Sequence, residues 1–80
     1  MTEINDSNIK DIVKKWSKDK NLVEKEYGPI SEWDVSKVTD MSSLFAGLRY
    51  FNEDISDWDV SNVTNMSDMF YIAEKFIMEV

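Results

Sequence analysis

Apolar residues in this chain follow two different rhythms, and the change falls near residue 29. Before it, Ile9, Ile12, Val13 and Trp16 recur at i, i+3, i+4 and i+7, which places them on one face of an α-helix. Asp6, Ser7 and Asn8 stand just ahead of that stripe as N-cap side chains, and Lys10, Lys14 and Lys15 take the opposite face. A second, shorter helix is expected over 21–27, with Leu22 and Val23 turned inward. Gly28 and Pro29 then end it.

After residue 29 the rhythm shortens. Trp33 and Val35, then Trp58 and Val60, alternate with polar residues as in a short strand. Met41, Leu44, Phe45 and Leu48 follow at helical spacing, as do Met66, Met69, Phe70 and Ala73. Thr39 and Thr64 are placed to cap these two helices of about two to three turns, and Gly47 to end or loosen the first.

The two stretches are copies of one unit. Residues 30–45, ISEWDVSKVTDMSSLF, lie over residues 55–70, ISDWDVSNVTNMSDMF, with eleven of sixteen positions identical at an offset of 25. A unit this short cannot bury its apolar side alone, so copies are expected to stack. The paired core positions are Ile30/Ile55, Trp33/Trp58, Val35/Val60, Val38/Val63, Met41/Met66, Phe45/Phe70 and Phe51/Phe76. Each buried side chain contributes roughly 1.5–3 kcal/mol. Asp34/Asp59, Ser36/Ser61 and Thr39/Thr64 repeat as well. Short polar side chains of this kind bond nearby backbone donors in turns. The expected organisation is a single domain over 1–80: a helical cap (1–29), a first repeat (30–54), and a second repeat with a closing segment (55–80).

Composition removes several classes of function. The chain has no cysteine and no histidine, which excludes a thiolate nucleophile or metal site and takes away the commonest general base. The net charge of −7 is uneven. Residues 1–29 carry six lysines against six acids, whereas 30–80 carry Lys37, Arg49 and Lys75 against ten acids. Direct binding to nucleic acid or to an anionic membrane is disfavoured, and a partner with a basic surface is favoured. No stretch approaches the ~20 apolar residues of a membrane span, and the polar, acidic start lacks the layout of an export signal. The cytoplasm is therefore the compartment expected from the residues alone.

The string WDVSxVTxMSxxF, followed by F-N-x-D-I-S-x-W-D-V-S, resembles the BspA-type leucine-rich-repeat-like surface protein family. The resemblance covers Tyr27 to about Phe76. It implies a right-handed solenoid, a cell-surface location, and a role in adhesion or protein binding. The expected fold is accordingly α/β and helix-rich: a short leucine-rich-repeat-like solenoid of two strand–turn–helix repeats with an N-terminal helical cap. Where the family continues its repeats, this sequence has FIMEV, with Ile77 and Met78 where Asn52 and Glu53 stood. That looks like a patch closing the core.

Only carboxylates are left as a candidate metal or acid–base site. Glu53, Asp54, Asp57 and Asp59 lie close in sequence but lack the calcium-loop order of D-x-[DN]-x-[DN]-G with a distant Glu, so they read as a solvated turn. No cofactor or metal is expected. If the repeated positions face inward, binding falls to positions that vary between copies or lie beside them. The candidates are Glu32, Asp40, Arg49, Tyr50, Glu53, Asp54, Asp57, Asp68 and Tyr71, with the tyrosines as anchors. The expected function is a non-enzymatic protein-interaction module using an acidic face. The alternative is a small acidic inhibitor that imitates a phosphate backbone and blocks a nucleic-acid-binding protein. An open solenoid end would also allow a second copy to dock.

Overall fold

The computed structural model describes residues 3–48 and 51–71. Among the described residues there are two helices, α1 (Ile9–Lys18) and α2 (Lys20–Tyr27), followed by a single 3₁₀ turn at Ile30–Glu32. Ile9, Ile12, Val13 and Trp16 are the buried face of α1, as their spacing requires. The start of α1 departs from expectation. Asn8 stands at the N-cap without a side-chain cap bond, because its carboxamide oxygen accepts from the Asn5 N–H at 2.8 Å and its amide donates to the Glu3 carbonyl at 2.7 Å. Helix α2 is capped by Asp19, which accepts from the Leu22 N–H at 3.1 Å. That places Val23 inward and leaves Leu22 61% exposed, correcting the inward reading of Leu22. Gly28 ends α2 at φ 80°, ψ −178°, a region that only glycine enters readily.

The strand–turn–helix expectation fails in both copies. Among the described residues there is no strand, only an isolated parallel bridge between Asp40 and Asn65. Residues 41–48 and 66–71 hold turns and irregular chain with no helix. The molecule is a small helical domain rather than an α/β solenoid of strand–turn–helix repeats. The physical reason is visible in the backbone. Ser43 has φ 57° and its counterpart Asp68 has φ 56°, with Gly47 at φ 80°. A left-handed residue in the third position breaks an α-helix at once. Successive turns place Met41, Leu44 and Phe45 inward just as a helix would, so the spacing of apolar residues does not distinguish the two. The strand reading fails for a related reason. Trp33 and Val35 are buried with Asp34 exposed between them, but alternation reports facing and not pairing. With no helix to start, Thr39 and Thr64 cap nothing.

What joins the two copies is a row of backbone bonds between turns. Met41, Ser43, Phe45 and Gly47 donate their N–H groups to the carbonyls of Asn65, Ser67, Met69 and Tyr71 at 2.8–2.9 Å. The intervening Leu44, Ala46 and Leu48 N–H groups instead close turns onto Met41, Ser43 and Phe45 at 3.1–3.2 Å. One backbone thus alternates between bonding its neighbour and bonding itself, which satisfies buried donors without a helix or a sheet.

The core follows the same offset. Trp33 and Trp58 stack with centroids 6.1 Å apart, and Phe45 and Phe70 at 5.7 Å. Trp16 of α1 meets Phe51 edge-on at 5.7 Å, which ties the helices to the copies. Both copy tryptophans satisfy their indole N–H, Trp33 on the Gly28 carbonyl at 2.9 Å and Trp58 on the Ile30 carbonyl at 2.7 Å. Ile30, Val35, Val38, Met41, Phe51 and Ile55 are buried, with Val60 and Val63 partly so. Met66 is 43% exposed, which removes it from the core. Its counterpart Met41 has a second copy bonded alongside, and among the described residues no further copy follows Met66. Ala73, Phe76 and the closing segment lie outside the described residues.

Candidate interaction surface

The acidic side chains are held by one recurring local device. An Asp or Asn accepts on Oδ1 from both the N–H and the hydroxyl of the serine two residues on. Asp34–Ser36, Asp54–Ser56 and Asp59–Ser61 each show this pair at 3.0 and 2.6 Å, and Asn65–Ser67 at 3.0 and 2.8 Å. Asp40 accepts from the Ser42 N–H at 2.9 Å. The serine hydroxyl, ahead of the serine N–H, holds the Asp34, Asp40, Asp54 and Asp59 carboxyls below the usual carboxylate range. In Asp34, Asp54 and Asp59 both bonds fall on Oδ1, so the serine leaves Oδ2 unused on an exposed side chain. A pattern of D/N-x-S, read along the whole chain, would have found every one of these sites.

The predicted binding residues divide into three groups. Asp40 and Glu53 are engaged, Asp40 near Lys10 at 3.8 Å and Glu53 with Lys20 at 2.8 Å. Glu32, Asp54, Asp57, Asp68 and Tyr71 are exposed. Arg49 and Tyr50 lie outside the described residues. Lys20 is a residue the sequence reading missed. It reaches Glu53 across a hollow of about 580 Å³ lined by Trp16, Leu48 and Phe51, with its ammonium 5.9 Å from the centre of the Trp16 ring. That pair raises the Lys20 pKa through the Glu53 hydrogen bond. Lys37 similarly bonds Glu3 at 2.7 Å.

Among the described residues, no three acidic side chains converge as a metal site, and no helix is long and apolar enough to cross a membrane. What the surface offers is a set of carboxylates on hydrogen-bonded turns, with Met66 and Tyr71 exposed. No curated protein and no solved structure matches this chain. The whole sequence, residues 1–80, matches the family described as "Mycoplasma protein of unknown function, DUF285", and the protein belongs to that family.

Proposed function

We propose that the chain is a non-enzymatic protein-binding module in which Glu32 and the acidic residues from Phe51 to Tyr71 present an acidic face to a basic partner. One observation carries this reading. From Phe51 to Tyr71 there are five acidic residues and no basic one, and Asp54, Asp57, Asp59 and Asp68 are all exposed. Serine bonds to Oδ1 hold two of these charges in place and leave Oδ2 unused. Acceptors fixed before binding lose little side-chain freedom when a partner arrives, and an outward carboxylate suits arginine or lysine. The repeat motif WDVSxVTxMS supports a finer kinship with BspA-type surface repeats, and through it an adhesion-like role.

The test is affinity capture from source cells with the wild-type chain and with a Glu32→Lys, Asp57→Lys variant. Both positions are exposed. A partner that binds the wild type, escapes the variant, and weakens as salt rises supports the acidic face. Capture unaffected by the double charge reversal contradicts it. Displacement of that partner by duplex DNA would instead identify the chain as a nucleic-acid mimic.

A further inference from the structure

The edge that the first copy gives to the second is repeated on the second copy. In the first copy Met41 and Ser43 donate their N–H groups to Asn65 and Ser67. One repeat on, those positions are Met66 and Asp68. Among the described residues neither of these two N–H groups has an acceptor. The backbone is the same at both edges, since Ser43 and Asp68 share a left-handed φ of 57° and 56°. Met66 is 43% and Tyr71 63% exposed here, around a hollow of about 480 Å³ that Met69 and Phe70 also line.

We propose that this edge docks an extended segment of a partner protein, one bearing basic and apolar residues, by backbone bonding. Alternate carbonyls of that segment take the Met66 and Asp68 N–H groups, as the carbonyls of Asn65 and Ser67 take those of the first copy. The interface between the copies already shows the mode, and the Met66 and Asp68 N–H groups continue it. Addition of an extended segment to such an edge draws affinity from main-chain bonds and specificity from alternate side chains. Apolar residues of the segment cover Met66 and Tyr71, and a basic one meets Asp68. A second copy of this chain does not fit, because its matching edge also presents donors. The other side of its first copy faces Asp6, which accepts from the Thr39 and Asp40 N–H groups, and Lys10, 3.8 Å from the Asp40 carboxylate. The proposal rests on the reading above only in taking the partner to be a basic protein.

The experiment is an NMR titration of the labelled full chain with a synthetic peptide. The peptide has the sequence of residues 63–71 with Asp68→Lys, because that segment supplies the carbonyls that fill the first edge. The expected result is a saturable shift of the Met66 and Asp68 amides, with their hydrogen exchange slowed at least about tenfold. Met66→Pro, which deletes one donor, should abolish the shift while the Met41 amide stays in place. Tyr71→Ser should weaken binding several-fold with the backbone untouched. Absence of a shift at Met66 and Asp68 overturns the proposal. So does protection of these amides in the free chain as strong as that of Met41 and Ser43, because the edge is then already filled. Shifts confined to Glu32 and Asp57, and lost in the Glu32→Lys, Asp57→Lys variant, overturn the edge and leave the acidic-face reading standing.

Discussion

The Asp6 carboxylate does for Thr39 what a backbone carbonyl does one copy later. Asp6 accepts from the Thr39 N–H at 2.8 Å and from the Thr39 hydroxyl at 2.7 Å. The Thr39 carbonyl accepts from the Thr64 N–H at 2.7 Å and the Thr64 hydroxyl at 3.2 Å. A side chain from the segment before α1 therefore ends the row of bonds at its first unit, and it also takes the Asp40 N–H at 3.2 Å. Asn5, Ser7 and Asn8 bond one another, which holds the Asp6 loop in shape.

Asp6→Ala should accordingly lower the thermal midpoint, since it leaves two backbone donors and a hydroxyl without their acceptor. Asp6→Asn, which keeps one accepting oxygen, should lower it less. Thermal unfolding followed by circular dichroism ranks the three proteins. A midpoint unchanged in Asp6→Ala contradicts the capping role.

Acid should destabilise the fold in a defined window. The carboxyls of Asp6, Asp34, Asp40, Asp54 and Asp59 are all lowered, in each case chiefly by a hydroxyl donor: Thr39 for Asp6, and the serine two residues on for the others. A lowered folded pKa means that the unfolded chain binds the proton first as pH falls. The stability these groups contribute is therefore complete above the ordinary carboxylate value of about 3.9 and is lost as pH falls through their lower folded values. With no histidine in the chain, no side chain of unshifted pKa titrates between pH 5 and 8. Urea midpoints should be flat over that range and fall below about pH 4. A steep slope near neutral pH would refute this assignment.

Trp58→Ala should cost about 3–5 kcal/mol. Trp58 is buried, stacks on Trp33, and donates its indole N–H to the Ile30 carbonyl. Denaturant unfolding measures the loss, and a value below about 1 kcal/mol would place this ring at the surface.

Backbone strain gives two opposite expectations. Gly28→Ala should destabilise by about 1–3 kcal/mol, although nothing lies within 4 Å of the added Cβ, because the cost is in φ alone. Ser43→Gly should stabilise by about 0.5–1 kcal/mol, as relief of a left-handed residue outweighs the added freedom of the unfolded chain. Equilibrium unfolding of both variants checks the signs, and Ser43→Gly destabilising the fold would mean that the Ser43 side chain has a role of its own.

The sequence carried more about which residues are buried than about how the backbone runs. The faces of α1 and the pairing of Trp33 with Trp58 or Phe45 with Phe70 were legible, because burial follows apolar spacing. The turns were not. Met41, Leu44 and Phe45 keep helical spacing along a chain that reverses through Ser43, and a serine carries no signal for positive φ. Met66 was misplaced because repeat symmetry assigns equal burial to both copies, whereas among the described residues only the first has a copy bonded on its N–H side. At the candidate surface, the exposed acids were legible from charge, but Lys20 and Asp6 were not. Each acts on a residue 33 positions away, Lys20 on Glu53 and Asp6 on Thr39, and local pattern does not report such contacts.

Hydrogen exchange of the free full-length chain, followed amide by amide, tests most directly the claim that turns of the two copies are joined by a row of backbone bonds, and that the Met66 and Asp68 N–H groups have no acceptor among the described residues. The account predicts slow exchange at Met41, Ser43 and Phe45, and fast exchange at Met66 and Asp68. Equal exchange at the two sets of positions would contradict it.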